Sequence, residues 1–373
     1  MNRTLRVALV AAALCIVAET TTGWLRHPNG QGAAAGEFPH NHLVQGLVQY
    51  DSGWYGEIAQ RGYWAVPPNT QTPTAFFPLY PMLMRGLVLV GLNHFLAGIV
   101  LSLVFGLSAL FIFSKWAADR TTRELANDAG LLFALYPFAF YLYGVVYSDG
   151  LFLLLAVSAF YALEKRQVGL ATLFGILATA TRPVAPAMIV GLVVRNFELQ
   201  RLRKEPLGVR TVLPVLSAIG MLLYMAYLWR TFGDAELFVH AQSAPGWDNT
   251  PGLHTWLKVE FFKALRHPMG PMHVVRLLTH AGVALTALLL AWPTKKLLGW
   301  GYALYVLAAV GLPALSSHDF QGLGRYVMAA FPIFLTLAAL LKERPKLRVP
   351  LLATFAVGIV ILAASFGDGQ YVA

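Results

Sequence analysis

The amino-acid sequence predicts an all-α polytopic membrane protein with about eleven membrane-spanning segments. Hydrophobic residues make up 57% of its 373 residues and charged residues only 12%, and the mean hydropathy is +0.59. Soluble proteins carry about 25% charged residues. Apolar runs of membrane-spanning length recur from end to end, and lipid offers their backbone no partner outside a helix. We therefore expect one integral domain over residues 1–373 rather than a soluble domain on an anchor.

The apolar runs define the predicted spans, with boundaries good to a few residues. They cover roughly residues 5–24, 95–114, 127–146, 150–163, 168–181, 184–195, 211–229, 274–292, 298–315, 326–341 and 349–366. Several spans between 127 and 195 are short, as tilted, broken or re-entrant helices are. Residues 77–92 contain two early prolines and Arg85, and are expected to form a helix at the membrane interface.

The N-terminal segment resembles a signal peptide, because Arg3 and Arg6 precede an apolar stretch that runs through Val17. No small-residue cleavage pattern clearly follows, so we interpret it as the first membrane helix. The single cysteine, Cys15, lies inside this run, which excludes a disulfide framework.

The distribution of basic residues predicts the orientation. With the N-terminus inside, the inner side collects 18 of the 28 Lys and Arg residues, close to the ends of spans. These are Arg3, Arg6, Lys115, Arg120, Arg123, Lys165, Arg166, Arg195, Arg201, Arg203, Lys204, Arg210, Lys295, Lys296, Lys342, Arg344, Lys346 and Arg348. The formal charge of +10 is therefore attributed to orientation signals rather than to nucleic-acid binding. The loops 25–94, 230–273 and 316–325 and the turn at Asp149 then face outward.

The segment 48–63 is the strongest candidate for catalysis. It places Asp51 and Glu57 among four aromatic side chains, which include Tyr55, in a polar loop after the first span. A carboxylate among rings beside a bilayer is suited to accepting a proton from a sugar hydroxyl, although Trp and Tyr also collect at interfaces without a catalytic role. Asp51 is the candidate base. Glu57, six residues further on, is expected to orient a partner or a sugar hydroxyl.

Two arginines at the outer ends of spans are candidates for binding a leaving phosphate. Arg182 lies in ATATRPVAP, before the helix-breaking Pro183, and Arg325 lies beside Tyr326 in GLGRYVMAAFP. Snorkelling to lipid headgroups is an equally weighted alternative for each arginine.

Further outward-facing candidates are polar or aromatic residues in turns and loops. Asp149 lies in a tight turn, where it also suits an N-cap of the next helix. His240, Gln242 and Trp247 share the loop 236–248, where His and Gln suit phosphate or sugar and Trp suits stacking on a sugar face. His318 and Asp319 could assist in the same way. No metal-binding or nucleotide-binding motif is present, so neither a divalent metal nor a soluble nucleotide-sugar donor is indicated.

The motifs YDSGWYGEIAQRGY, AFFPLYP, YPFAFYLYGVVYSDG, ATRPVAP, HAQSAPGW and GRYVMAAFP resemble, in order, the bacterial relatives of the PIG-V family. The resemblance implies a GT-C-like bundle and a mannosyltransferase that uses a polyprenyl-phosphate sugar on the outer face of a bacterial inner membrane. Asp51 and Arg325 match the acid of the first motif and the arginine of the last. The chain has Asp149 where Glu is usual, and Val184-Ala185 where a polar residue or Gly is usual.

Two alternatives to an enzyme remain open. A transporter or flippase of a lipid-linked sugar would have polar sites near the membrane midplane and often repeated halves. Here Glu19 is nearly the only acid within a span, and no repeated halves are found. A non-catalytic membrane scaffold would leave the acids, arginines and aromatics of one face unexplained. The expected partners are a polyprenyl-phosphate-linked sugar, membrane lipids and a glycolipid, glycan or protein acceptor, and no cofactor is expected.

Overall fold

The computed structural model describes residues 3–64, 70–250, 252–267 and 269–372. The first part of the chain forms α1 (Arg3–Arg26), α2 (His42–Leu47), α3 (Asp51–Arg61), α4 (Leu79–Leu89), α5 (His94–Arg120), α6 (Arg123–Ala134), α7 (Asp149–Glu164), α8 (Val168–Thr179) and α9 (Ala185–Leu202). The remainder forms α10 (Val209–Val212), α11 (Ile219–Phe232), α12 (Leu237–His240), α13 (Leu253–Trp256), α14 (Val259–Arg266), α15 (Pro271–Leu298), α16 (Trp300–Ser316), α17 (Leu323–Tyr326), α18 (Pro332–Lys342) and α19 (Pro345–Gly367). The described residues contain no strand, and the predicted all-α membrane fold is confirmed.

Among the described residues, five helical segments are long and apolar enough to cross a membrane: α1, α5, Val209–Phe232, α15 and α19. A sixth is counted if Leu323–Ala329 and Pro332–Lys342 form one bent span. The count of eleven is therefore not confirmed. α8 and α16, both predicted as spans, have 12 and 17 residues, fewer than the roughly 20 that the hydrocarbon core requires.

Two predicted spans are interrupted at prolines. The segment 127–146 is helical only to Ala134 and continues, after a break, as a 3₁₀-helix that begins at Pro137. The segment 326–341 is bent by 89° just before Pro332. Proline donates no backbone hydrogen bond and disfavours helical geometry in the residue before it, which accounts for both breaks.

The predicted outer loops also differ from the structure. Residues 25–94 contain α2, α3 and α4, and residues 230–273 contain α12, α13 and α14. α2 is stabilised at its start by the Asn41 side chain, which accepts a hydrogen bond from Val44 N at 3.2 Å. The segments predicted as loops therefore contain short helices, and their position on the outer face stays a prediction. α3 carries Asp51, Tyr55 and Glu57, and α12 carries His240.

The helices divide into two compact units, which are described separately. Unit 1 contains residues 3–62, 79–161 and 334–372, and unit 2 contains the described parts of 63–78 and 162–333. The expectation of one integral domain stays a prediction.

Close helix packing in unit 1 depends on glycines of α1 and α19. A Cβ added at Gly23 would lie 3.0 Å from Gly367 O, and one at Gly367 would lie 2.3 Å from Glu19 O. Small residues of this kind allow the backbones of membrane helices to approach. Glu19 is fully buried in α1, and its two carboxylate oxygens have no hydrogen-bond partner among the described residues.

A buried ionic network joins helices in unit 2. Arg195 Nε donates to Glu164 Oε1 at 2.7 Å, and Tyr302 Oη donates to the same oxygen at 3.0 Å. Glu198 bonds Arg195 and also accepts from the backbone N–H of Gly301 at 3.1 Å. Arg195, one of the 18 predicted orientation signals, is thus neutralised inside the protein.

Candidate active site

Asp51 is the first residue of α3, a short helix within the segment predicted as a polar loop. The preceding residue, Tyr50, has a φ of 52°, an uncommon conformation for a non-glycine residue. The side chain of Asp51 is half-buried, and its backbone N–H donates to Tyr147 Oη at 3.2 Å. A helix N-terminus stabilises negative charge, which suits a carboxylate that must stay ionised to act as a base.

A tyrosine cluster connects α3 with the turn that precedes α7. Tyr55 Oη lies 2.9 Å from Ser148 Oγ, and the Tyr55 ring lies 5.1 Å from the Tyr80 ring. Asp149 is buried and is the first residue of α7, near Tyr80. Unit 1 thus brings Asp51, Tyr55 and Asp149 around one turn, since Tyr147 contacts Asp51 and Ser148 contacts Tyr55.

Glu57 does not join this cluster. It is exposed, and among the described residues it has no hydrogen bond or ion pair. Six residues along a helix place it roughly 120° around the axis from Asp51. The prediction that the two acids have different roles is consistent with this geometry.

The two candidate arginines meet at one ring in unit 2. The guanidinium carbon of Arg182 lies 4.9 Å from the centroid of the Tyr326 ring, and that of Arg325 lies 5.1 Å from the same centroid. Arg325 Nη2 also donates to Tyr326 Oη at 3.4 Å. Arg182 is 9% exposed and Arg325 is 6% exposed. Two nearly buried guanidinium groups beside one ring differ from arginines that snorkel singly to lipid headgroups.

Glycines position the segment that carries Arg325. Gly322 precedes α17 with a φ of 82°, and a Cβ there would lie 3.1 Å from the Tyr326 ring. The backbone N–H of Gly324 donates to His280 Nδ1 at 3.0 Å. The turn at Gly322 and the backbone hydrogen bond of Gly324 therefore fix the short helix α17, which carries Arg325.

The three candidate residues of the loop 236–248 make separate contacts. These residues are His240, Gln242 and Trp247. His240 is exposed and bonds Asp234 at 2.6 Å. Burial raises the pKa of Asp234, but hydrogen bonds from His240 and the backbone of Glu236 outweigh it and hold this pKa below its usual value. The Trp247 ring packs 5.9 Å from the Phe76 ring.

Gln242 belongs to a chain of hydrogen bonds that reaches the segment before α17. Its side-chain oxygen accepts from Asn249 Nδ2 at 3.2 Å, and Asn249 Oδ1 accepts from the backbone of His318 at 3.1 Å. Asn249 carries no motif that the sequence would have singled out. The contact brings together, within unit 2, the two segments 230–273 and 316–325 that the sequence predicts to face outward.

Lys258 is the main residue of this region that the sequence did not single out. It is buried and donates to the carbonyls of Ser317 and Asp319, the latter at 3.2 Å. Burial lowers the pKa of Lys258 to about 8, against an opposing effect of Asp319. Its ammonium also lies 5.2 Å from the centroid of the Phe320 ring. Lys258 thus holds the backbone that leads to Arg325.

Within the described ranges, no group of three or more His, Cys, Asp or Glu side chains could hold a metal ion. The expectation that no divalent metal is needed stays a prediction.

The long apolar helices indicate a multi-pass membrane protein. A family profile described as mannosyltransferase (PIG-V) matches residues 3–244, and the chain belongs to this family. The resemblance to the PIG-V family is therefore confirmed. No curated protein sequence matches the chain.

Solved structures of the oligosaccharyltransferase from Archaeoglobus fulgidus are similar in fold. The complex with Zn and sulfate has a TM-score of 0.50 and 14% identity, over 98% of this chain and 53% of that chain. A complex with an inhibitory peptide and a dolichol-phosphate has a TM-score of 0.46 and 12% identity, over 99% and 56%. The chain thus spans about half the length of these structures. The likeness to the complex with Zn and sulfate shows a shared fold alone.

Proposed function

We propose that the protein transfers mannose from a polyprenyl-phosphate donor to an envelope acceptor on the outer membrane face, with inversion at the anomeric carbon. Membership of the mannosyltransferase family supports the transfer of a sugar. The observation that carries the donor class is the pair of buried arginines, Arg182 and Arg325, beside Tyr326. Planar guanidinium groups bind phosphate oxygens two at a time.

Asp51 acts as the general base in this reaction. Its carboxylate takes the proton of the acceptor hydroxyl while that oxygen bonds to the anomeric carbon. The bond from this carbon to the phosphate oxygen breaks, and polyprenyl phosphate leaves with the electron pair. A phosphate leaving group requires no proton, so one carboxylate is sufficient.

The arginines stabilise the charge that develops on the leaving phosphate. Tyr326 orients both guanidinium groups through its ring. Asp149, Tyr55 and the exposed Glu57 contact sugar or acceptor hydroxyls, and Trp247 provides a face for a sugar ring. His240 and Gln242 donate hydrogen bonds to the donor. Membrane lipids surround the spans, and no cofactor takes part.

The deciding experiment supplies purified protein, reconstituted in proteoliposomes, with polyprenyl-phosphate [14C]mannose and an extract of envelope acceptors. We expect labelled product together with release of polyprenyl phosphate. GDP-mannose in place of the lipid donor should give no product. Movement of the intact lipid across the bilayer without transfer would instead establish a flippase, and turnover of GDP-mannose alone would refute the donor class.

Orientation is tested by labelling single cysteines in a Cys15→Ser background. Gln60→Cys and Pro245→Cys should react with a membrane-impermeant maleimide from outside, and Arg201→Cys only after permeabilisation. Accessibility of Gln60→Cys from the cytoplasm alone would place the acid of α3 on the wrong face for an outward-facing reaction.

A further inference from the structure

A cavity lined by cations lies in unit 1, where α1 begins and α5 passes into α6. It has a volume of about 740 Å³, within the roughly 300–1,000 Å³ of ligand sites. We call it the basic pocket. Its polar lining consists of Arg3, Arg6, Ser114, Lys115, Arg123 and Asn127.

The basic pocket holds positive charge that its described lining does not compensate. Its lining includes no acid, and Arg3, Arg6 and Arg123 form no hydrogen bond or ion pair within the part of the chain that the structure describes. The Lys115 ammonium lies over the Phe111 ring, 4.5 Å from its centroid. Asp128, which follows Asn127 in sequence, is bonded to Arg348 instead.

Orientation signals alone do not require this arrangement. They depend on basic residues near span ends but not on a concave site. Arg195, counted with them, is buried against Glu164 and Glu198. The four cations of the basic pocket remain exposed around one concavity, where mutual repulsion makes a bound anion favourable.

An apolar groove continues from the basic pocket. Arg6 lines both, and the groove has a volume of about 230 Å³ between α1 and α19. Its lining is otherwise apolar and includes Val10, Leu14 and Val360. Val10 is 61% exposed and Leu14 is 53% exposed, so the groove lies open along the side of α1.

We infer that the basic pocket and the apolar groove together bind one anionic phospholipid. Its phosphate interacts with Arg3, Arg6, Lys115 and Arg123, and an acyl chain lies in the groove. A free phosphate would use only the first part, and a zwitterionic lipid would bring a cation into the basic pocket. The pocket also lies at the predicted cytoplasmic ends of the helices, and basic pockets between membrane helices on that side bind anionic headgroups. This lipid site is independent of the proposed transfer reaction.

Native mass spectrometry of the full-length protein tests this inference, with phosphatidylglycerol, phosphatidylcholine of the same chains and inorganic phosphate as probes. We expect one phosphatidylglycerol to be retained after delipidation and titration, and neither of the other two probes. Equal retention of phosphatidylcholine would refute the role of charge. Binding of inorganic phosphate with the same affinity would refute the role of the groove.

Paired variants locate the site. Arg6→Gln/Lys115→Gln is expected to weaken phosphatidylglycerol binding roughly tenfold or more, since each basic residue contributes appreciably to anionic-lipid binding. The control Lys342→Gln/Lys346→Gln removes the same charge outside both cavities and should bind like wild type. Ala356→Trp fills the groove and should weaken phosphatidylglycerol binding without removing any basic residue. Equal losses in both double variants, in folded protein of unchanged melting temperature, would overturn the assignment.

Discussion

Substitution of Tyr326 is the most specific way to perturb the proposed phosphate site, because both candidate arginines lie beside its ring. Tyr326→Leu removes the face on which the guanidinium groups of Arg182 and Arg325 lie, at 4.9 and 5.1 Å from the centroid. A desolvated cation–π contact contributes about 2 kcal/mol, and an exposed one about 0.5–1. Both arginines are nearly buried, but each keeps its charge and can shift. We therefore expect a combined loss of about 1.4–2.8 kcal/mol, or roughly 10–100-fold in kcat/KM.

Tyr326→Phe is the matched control because it keeps the ring and removes only the hydroxyl. The hydrogen bond from Arg325 to that hydroxyl is long, at 3.4 Å, so the expected loss is less than about threefold. Initial rates with labelled lipid donor give kcat and KM for both variants, and circular dichroism confirms folding. Wild-type kinetics in Tyr326→Leu, or an equal loss in Tyr326→Phe, would refute the role of the ring.

Three further outcomes follow from other parts of the structure. Arg325→Lys should lower kcat at saturating donor as well as raise KM, because Lys keeps the charge but loses the planar group that binds two phosphate oxygens. An unchanged kcat would make Arg325 an interfacial anchor. The folded-state pKa of Lys258, about 8, lies below its ordinary 10.5, so the unfolded state binds more protons between these values. The melting temperature of wild type relative to Lys258→Met should therefore rise from about pH 7.5 to 9.5, and a constant difference would contradict this. Glu19→Gln should leave the melting temperature equal or higher, because the Glu19 carboxyl group is buried without a hydrogen bond. Glu164→Gln should lower the free energy of unfolding by about 3–5 kcal/mol, because it breaks a buried ion pair with Arg195. The reverse order would contradict the assigned environments.

Hydropathy was sufficient to predict the all-α membrane fold, and it located most of the helices. It could not distinguish a buried short helix from a span, since α8 and α16 are apolar yet short. The prolines at the two breaks, Pro137 and Pro332, are visible in the sequence. Only tertiary packing decides whether a proline kinks a helix or ends it.

The candidate site was predicted in part. Motifs located Asp51, Asp149, Arg182 and Arg325, and the structure adds the partners that orient them. The contact of Tyr147 with Asp51 joins residues 96 apart in sequence, and no local pattern reports a contact of that range. The same is true of Lys258, whose carbonyl partners lie about 60 residues further along the chain.

The central claim is that Asp51 removes the proton of the acceptor. The most direct test is the turnover of Asp51→Asn at saturating polyprenyl-phosphate mannose, with Glu57→Gln as the matched control in the same helix. We expect Asp51→Asn to remain folded, to bind the lipid donor and to lose roughly 10²–10⁴ in kcat, the range for a positioned base. Glu57→Gln should lose much less. A kcat near that of wild type in Asp51→Asn would contradict the assignment and transfer the role of base to Glu57 or Asp149.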